Sequence, residues 1–472
     1  MHRKIVFLGL FALVLASTVM LATTGPSSSR SNYLVGSMPG VDFVAILTTG
    51  DSVQKRGTAG DTYRMVGTPD GLGAFDNLDG TITVLMNHEL TPTTGIVRKH
   101  GGAGAFVSRW QIRKSDLKVL NGMDQMEKVM LWDSQAQAYA PSTTTAFSRF
   151  CSADLPSPTG LFNGATGKGL PGDTRLYFNG EEDAAAGRAM VHVVTGKETG
   201  TSYEFFKLGK HSWENVLVNP YPQDTTLVAA NEDGGLNKVF FYVGQKQETG
   251  NPVEMAGLTN GTSYELSIAG YTNDDPATGF KNGKFSLVST GGTSLARPED
   301  GAWDPTNPSR YYFVTTASIT GNSRLWKMTF DDITKPTLGG TIEVVVDGQN
   351  AIKMMDNITI DDSGRVYMLE DVGNDPRLGL VWSYGPEGVR QLGSHSPYFF
   401  SQTSTLSSIT FLTQDEESSG IIDVTNLFTG EPGYDTATYR YMLLDVQAHF
   451  PISGELVEGG QLLMMRVPRI IP

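Results

Sequence analysis

The sequence predicts an all-β fold, a β-propeller of six blades. The chain has 472 residues with 54 glycines, and from about Val41 onward short β-type runs alternate with Gly, Asp and Asn turns. Acidic segments recur at intervals of roughly 50 to 90 residues, which fits four-stranded blades of about 40–50 residues plus loops. Radial repetition also protects the strand edges of so large a β protein. The repeats are weak in sequence, so five or seven blades are the alternatives.

The N-terminal stretch does not resemble the rest of the chain. Residues 1–4 are basic, and residues 5–22 form an almost unbroken apolar run. We interpret residues 1–22 as a secretory signal peptide, with a retained N-terminal anchor as the alternative. Residues 23–40 are predicted to be a linker, and residues 41–472 a single propeller domain. We therefore expect a secreted or periplasmic protein without stable membrane insertion after signal cleavage.

Three polar segments have the composition of hairpin turns. Residues 76–80 (DNLDG) separate the β-type runs at 73–75 and 81–84, and residues 304–309 and 361–365 are similar devices. The polar side chains of residues 76–80 could bind calcium, but a plain turn is the better explanation.

Six β-type runs along the chain adjoin carboxylates. These acidic segments are Asn87-His88-Glu89, Glu181-Glu182-Asp183, Asn231-Glu232-Asp233, Pro298-Glu299-Asp300, Glu370-Asp371 and Asp415-Glu416-Glu417. One such segment is ordinary turn chemistry. Six suggest that several modules deliver carboxylates to one place, where they would repel one another unless cations lie among them. The pattern predicts a multi-metal site at one mouth of the central channel.

The residue types at these positions indicate which metals could bind. Carboxylate oxygens favour hard cations such as calcium, and a histidine nitrogen would suit a transition metal such as iron or zinc. The predicted metal ligands are His88, Glu89, Glu181, Glu182, Glu232, Glu299, Glu370, Asp371 and Glu417. A structural role remains the alternative for His88, and a salt bridge or cap would explain any single acid.

Two arginines and the single cysteine lie close to these acids in sequence. Arg297 precedes Pro298-Glu299, and a planar guanidinium there could clamp two oxygens of a phosphate group. Arg377 could act similarly, although neutralisation of neighbouring acids explains it better. Cys151 is either a buried apolar residue or a metal thiolate.

Charge and cysteine content exclude some classes of function. A formal net charge of −14 argues against nucleic-acid binding, which needs basic patches. One cysteine allows no intrachain disulfide, so an exported chain of this length must rely on burial or bound metal. We expect a monomer.

At these same residues the chain resembles the PhoX-type secreted alkaline phosphatases. The resemblance is carried by the stretches Thr68–Phe75, Val84–Glu89, Ala296–Asp304, Met368–Asp371, Asp415–Gly420 and Leu444–His449. It implies a six-bladed propeller with a mixed iron–calcium cluster that hydrolyses phosphate monoesters. Arg297 would then hold the phosphate, and Glu182, Glu299 and Glu370 would ligate metals.

The chain departs from that family at two points. Those phosphatases use a cysteine as an iron ligand upstream of paired glutamates, and Cys151 ahead of Glu181-Glu182 is the only candidate here. They also typically leave the cytoplasm by the twin-arginine route, whereas Arg3-Lys4 provides no arginine pair.

The resulting hypothesis is a secreted phosphomonoesterase that uses calcium, with Fe³⁺ as a second possible metal. Its catalytic residues would be Arg297 and Glu299, its substrate-binding residues Arg297 and Arg377, and its partner a small phosphate ester. One alternative is a calcium-dependent propeller hydrolase of phytate, a phosphodiester or a lactone. Another is a calcium-stabilised surface protein without enzyme activity.

Overall fold

The computed structural model of the protein describes residues 24–348, 352–403 and 410–471. The predicted signal peptide at residues 1–22 lies outside these ranges. Within them, no helix is both long enough and apolar enough to cross a membrane.

Strands dominate the described residues, as the turn-rich composition predicts. In chain order the strands are β1 (Leu34–Gly36), β2 (Asp42–Thr48), β3 (Ser52–Lys55), β4 (Thr62–Arg64), β5 (Pro69–Asp76), β6 (Thr81–His88), β7 (Phe106–Arg113), β8 (Val119–Asp124), β9 (Lys128–Asp133), β10 (Ala138–Ser142), β11 (Phe150–Asp154), β12 (Phe162–Asn163), β13 (Lys168–Gly169), β14 (Leu176–Glu181), β15 (Ala189–Val193), β16 (Thr201–Glu204), β17 (Trp213–Val218), β18 (Thr225–Glu232), β19 (Lys238–Gln245), β20 (Thr262–Ile268), β21 (Asn282–Val288), β22 (Pro298–Trp303), β23 (Arg310–Thr315), β24 (Arg324–Phe330), β25 (Gly340–Val346), β26 (Met355–Ile360), β27 (Val366–Glu370), β28 (Leu380–Gly385), β29 (Gly388–His395), β30 (Glu416–Asp423), β31 (Tyr439–Ile452) and β32 (Val457–Pro468).

The helices of the described residues are single turns. The α-helical turns are α1 (Pro158–Leu161), α2 (Pro252–Met255) and α3 (Pro397–Phe400), and the 3₁₀ turns are Pro276–Thr278, Pro336–Leu338, Thr425–Phe428 and Gly454–Leu456. Proline at the start of each α-helical turn fits the first helical position, where no N–H is needed.

The strands form six blades arranged in a ring, which confirms the predicted propeller. From the axis outward the blades are β5–β8, then β11 with β14–β16, β17–β20, β22–β25, β26–β29, and β30–β32 with β2. The innermost strands β5, β11, β17, β22, β26 and β30 contact one another in a closed circle. The predicted turns at 76–80, 304–309 and 361–365 connect the first and second strands of blades 1, 4 and 5.

Additional strands extend the outer edges of several blades. The strands β3 and β4 widen blade 1, β9 and β10 widen blade 2, and β1 widens blade 5. The strand β21 pairs with both β20 and β25, so blades 3 and 4 share one nine-stranded sheet. The short pair β12–β13 stands apart from the blades.

The N-terminal segment closes the ring. The strand β2 pairs antiparallel with β32, from Asp42 opposite Arg466 to Thr48 opposite Gln461, and completes blade 6. Part of the predicted linker at 23–40 also belongs to the fold, because β1 pairs with β29 and Tyr33 and Leu34 are fully buried. Because the surrounding segment is rich in serine, the sequence did not indicate that Tyr33 and Leu34 would be buried.

The hydrophobic core is divided among the six seams between neighbouring blades. In the described residues each seam has its own cluster of buried side chains, and the clusters lie between blades 6 and 1, 1 and 2, 2 and 3, 3 and 4, 4 and 5, and 5 and 6. Each blade therefore buries both of its faces, and the ring is held by apolar contacts from all sides.

We expect Phe43→Ala to destabilise the closed ring. Phe43 on β2 is buried in the seam between blades 5 and 6 and lies against Gly393 of blade 5. Truncating a buried phenylalanine costs about 3–5 kcal/mol of unfolding free energy. Urea denaturation measures this loss, and Lys55→Ala on an exposed outer strand serves as the control. A loss below about 1 kcal/mol would contradict the role of β2 in closure.

Candidate functional site

The same position of each innermost strand carries a potential metal ligand. The second residue of these six strands is Asp70, Cys151, Glu214, Glu299, Asp356 and Glu417 in blades 1 to 6. Because the six strands begin at the same end of the ring, these side chains meet around the axis. They form the first part of a cluster that we call the mouth cluster.

The second strands end at this same mouth and complete the mouth cluster. Glu89, Glu182 and Asp371 follow β6, β14 and β27 directly. Four groups have ligand atoms within 4.8 Å of one another, namely Asp70–Glu89–Cys151, Cys151–Glu182–Glu214, Glu214–Glu299–Asp356 and Asp356–Asp371–Glu417. Since Cys151, Glu214 and Asp356 each belong to two groups, the nine residues form one continuous array.

Burial and repulsion between neighbouring acids raise the pKa of several acids of the mouth cluster and so favour their uncharged form. Burial, together with the nearby charge of Glu417, raises the pKa of Glu89 and of Asp371 to about 7. Burial also raises the pKa of several cluster residues well above the ordinary range, with neighbouring acids adding to the effect; these are Asp70, Cys151, Glu214, Glu299 and Asp356. The thiol of Cys151 donates a hydrogen bond to Glu182 Oε2 at 3.3 Å.

Two arginines flank the mouth cluster. The guanidinium of Arg297 lies 2.8 Å from Asp233 and 2.7 Å from Glu299. Arg149 lies 2.7 Å from Glu182 and 3.7 Å from Glu89. Each arginine side chain is 41% exposed, so both guanidinium groups reach the solvent at the mouth while contacting the acids.

A left-handed backbone residue leads into four of the innermost strands. It lies two residues before the cluster residue and has a φ of 45° at Thr68, 31° at Arg149, 57° at Arg297 and 54° at Met354. Such conformations cost a non-glycine residue about 1–3 kcal/mol and persist where surrounding structure imposes them. Here the repeated bend sets the direction from which Arg149 and Arg297 approach the mouth.

Neutral polar groups hold individual cluster residues in place. Gln447 Nε2 donates to Glu89 Oε2 at 2.7 Å and to Asp70 Oδ2 at 3.2 Å. Beneath the cluster, Asn357 Nδ2 of blade 5 donates to Ser152 Oγ of blade 2 at 2.6 Å, and Ser152 Oγ donates to Glu214 Oε1 at 2.8 Å. This buried bridge joins opposite blades and fixes one oxygen of Glu214.

Five of the acids predicted from the sequence belong to the mouth cluster, and Arg297 lies beside it. The acids are Glu89, Glu182, Glu299, Asp371 and Glu417. The six acidic segments also prove to be distributed one per blade at the same end of the propeller.

The structure places His88 and Glu181 outside the mouth cluster. His88 is fully buried, with Nδ1 3.0 Å from the Gly67 carbonyl oxygen and Nε2 2.9 Å from Ser108 Oγ, so both ring nitrogens are occupied. Glu181 accepts hydrogen bonds from the Ser148 N–H and from Arg188.

Glu232, Glu370 and Arg377 also lie outside the cluster. Glu232 accepts backbone N–H groups of the loop that follows it. Glu370 accepts from Arg377 at 2.6 Å and from Trp382 Nε1 at 2.9 Å, so the two predicted site residues Glu370 and Arg377 neutralise each other. For Glu181 and Glu370, which end their strands, the reason is strand alternation: consecutive side chains point to opposite faces, so that Glu182 and Asp371 reach the mouth instead.

Sequence reasoning missed Asp70, Glu214 and Asp356 and left Cys151 open. These residues begin strands instead of ending them, and Glu214 and Asp356 are isolated acids in apolar surroundings. What they share is the second position of an innermost strand, which becomes visible only once the strands are assigned to blades.

Comparison with known proteins supports the fold. No protein-family model matches the chain, and no curated protein matches it in sequence. Among solved structures, PhoX of Pseudomonas fluorescens in complex with vanadate, a transition state analogue, superposes with a TM-score of 0.64 and 10% identity, covering 93% of this chain and 97% of PhoX. The protein therefore has a PhoX-like propeller fold.

Other propellers superpose less well. A sialidase of Trypanosoma rangeli in complex with sialic acid has a TM-score of 0.34 at 11% identity, over 91% of this chain and 59% of its own. A gluconolactonase of Xanthomonas campestris has a TM-score of 0.31 at 10% identity, over 92% of this chain and all of its own.

We expect chelator-treated protein to lose stability as pH rises from 6.5 to 8.5. Acids with raised pKa values stay protonated in the folded state while the unfolded chain has released their protons, so stability falls by about 1.4 kcal/mol per pH unit for each such proton. His449 contributes with the same sign. Burial lowers its pKa, but hydrogen bonds to Glu417 and Glu458 outweigh burial and raise the pKa to about 11.

Urea denaturation in EDTA at the two pH values measures this dependence. Buried histidines such as His88, with a pKa lowered by burial to about 3, oppose this fall by less than about 0.5 kcal/mol each, and only near the lower pH, where the unfolded chain still protonates them. A fall of at least about 2 kcal/mol is expected, and excess calcium should flatten it. Stability that is constant or rises over this interval would show that the acids are not held protonated.

Proposed function

We propose that the protein is an exported metal-dependent phosphomonoesterase whose active site is the mouth cluster. The observation that carries the proposal is the convergence of eight carboxylates and one thiol at the propeller axis, bordered by Arg149 and Arg297. The PhoX-like fold supports the proposal, since the solved PhoX structure contains a transition state analogue.

The donor set fits bound cations. Carboxylate oxygens grouped within 4.8 Å of one another are the ligands that calcium prefers, and they accumulate negative charge that the protein neutralises only in part. Asp356, Asp371, Glu417 and Glu299 would hold calcium. The thiol of Cys151, grouped with Glu182 and Glu214, would suit a softer metal such as iron.

The metals and the arginines would divide the work on a phosphate ester. Bound cations would offset the negative charge that develops on the phosphoryl oxygens during hydrolysis. Asp233 accepts from Nε and one terminal nitrogen of Arg297 and so fixes the guanidinium, whose remaining terminal N–H groups would bind phosphoryl oxygens.

Arg149 provides a second clamp that the sequence did not suggest. It approaches the mouth from blade 2, whereas Arg297 approaches from blade 4, so the two guanidinium groups could orient the ester from different sides. Positioning of this kind supplies much of the catalysis in phosphoryl transfer.

Glu299→Gln should abolish hydrolysis of p-nitrophenyl phosphate and reduce the metal content of the purified protein. The amide replaces a charged oxygen donor in the middle of the mouth cluster and removes the partner of Arg297. The matched control is Glu232→Gln, at the same mouth but outside the cluster, which should keep its metal and its activity. Full activity in the Glu299 variant would place the reaction elsewhere.

Arg297→Ala should raise the inhibition constant of inorganic phosphate at least tenfold while leaving metal content intact. The lost fork makes charge-assisted hydrogen bonds to phosphoryl oxygens, which are worth about 1.5–3 kcal/mol each. Arg310→Ala is the control, because Arg310 lies in the same blade, is equally exposed and also pairs with an aspartate. An unchanged inhibition constant in the Arg297 variant would reject the clamp.

A further inference from the structure

A cavity bordered by two arginines lies in the seam between blades 1 and 2, apart from the mouth cluster. A cavity of about 410 Å³ is bordered by Arg56 and Arg109 of blade 1 and by the turn between β15 and β16 of blade 2, residues 194–200. Arg109 also contacts Phe75, which lies five residues after Asp70 on β5, roughly 16 Å along the strand from the mouth cluster. The cavity is thus separate from the proposed active site.

Arg56 and Arg109 differ from most other arginines of the described chain because neither forms an ion pair with a carboxylate. Arg109 donates only to neutral acceptors, the Val194 carbonyl oxygen at 2.8 Å and Gln125 Oε1 at 3.3 Å. Its Nε is buried and has no hydrogen-bond partner among the described residues. By comparison, Arg98 and Arg324 are paired with acids in the interior.

The charges around the cavity add to one another. Burial, together with the positive charge of Arg56, lowers the pKa of Arg109 to about 10. Arg175 lies on the same Phe75 ring, 5.3 Å from its centroid. The one acid that borders the cavity, Glu127, is 2.5 Å from the ammonium group of Lys99.

Such an arrangement is costly without an anion. A guanidinium that is largely removed from water needs a counter-charge, and two guanidinium groups that repel each other gain most from a ligand that contacts both. The chain has a formal net charge of −14, so this local excess of positive charge is not a consequence of composition.

We propose that this cavity binds a tetrahedral oxyanion of the phosphate or sulfate class between Arg56 and Arg109. Both hydrogen bonds of Arg109 come from one terminal nitrogen, so its guanidinium keeps N–H groups for the oxygens of an anion, and the exposed Arg56 would contact the anion from the solvent side. Anion binding there would also join blades 1 and 2 across the seam.

Titration calorimetry with sodium sulfate at low ionic strength tests the proposal on the protein as purified. Arg56→Gln should weaken sulfate binding at least tenfold, because it removes one of the two positive charges at the cavity. Since Arg56 is exposed, the substitution does not disturb the core. Arg109→Gln should weaken sulfate binding to the same extent. Arg64→Gln, an exposed arginine on β4 of the same blade, should bind sulfate within twofold of the wild type.

Parallel titrations separate the possible sources of the anion. Inorganic phosphate and glucose 6-phosphate are titrated into Glu299→Gln with and without Arg56→Gln, so that hydrolysis is removed and only the binding that depends on Arg56 is compared. Glucose 6-phosphate that binds there as tightly as inorganic phosphate would indicate a phosphorylated metabolite, and tenfold weaker binding would indicate the free anion. Sulfate binding in Arg56→Gln equal to that of the wild type, or no binding at 10 mM sulfate in the wild type, would overturn the proposal. Hydrolysis of p-nitrophenyl phosphate should be unchanged in Arg56→Gln, so this result stands or falls independently of the proposed function.

Discussion

Acidic side chains from the six blades converge on the propeller axis, and their mutual repulsion must be balanced for the ring to stay closed. The balance has two parts. Apolar contacts in six separate seams press the blades together, and burial keeps several of the acids in their neutral form. Cations at the mouth would replace the second part with direct charge neutralisation, and metal binding would then be coupled to ring stability.

Neighbouring side chains from several blades neutralise or orient the acids of the mouth cluster. Arg149 and Arg297 neutralise acids at the rim, while Gln447 and the Asn357–Ser152 bridge orient acids deeper in the channel. These groups come from blades 2, 4, 5 and 6, so the site exists only when the ring is complete. The closing strand β2 therefore supports the site without contributing a ligand to it.

Much of the fold could be predicted because turn composition and the spacing of acidic segments repeat with each blade. The ligands were harder to predict, since an acidic segment of two or three residues does not reveal which side chain faces the axis. Glu370 and Asp371 illustrate the difficulty: they are adjacent in sequence, yet one pairs with Arg377 and the other joins the mouth cluster. A shift of one residue along the strand reverses the face to which a side chain points, and this decides the role of each residue.

The sequence by itself determined the all-β class, the propeller and the presence of acids near one mouth, because these follow from local turn chemistry and periodicity. Only the tertiary structure decided that Asp70, Glu214 and Asp356 join them and that His88 does not. It also placed Arg56 and Arg109 at one cavity whose bordering acid, Glu127, pairs with Lys99. These residues are far apart in the chain, so their contacts depend on the register of the strands around the closed ring, which the sequence does not show.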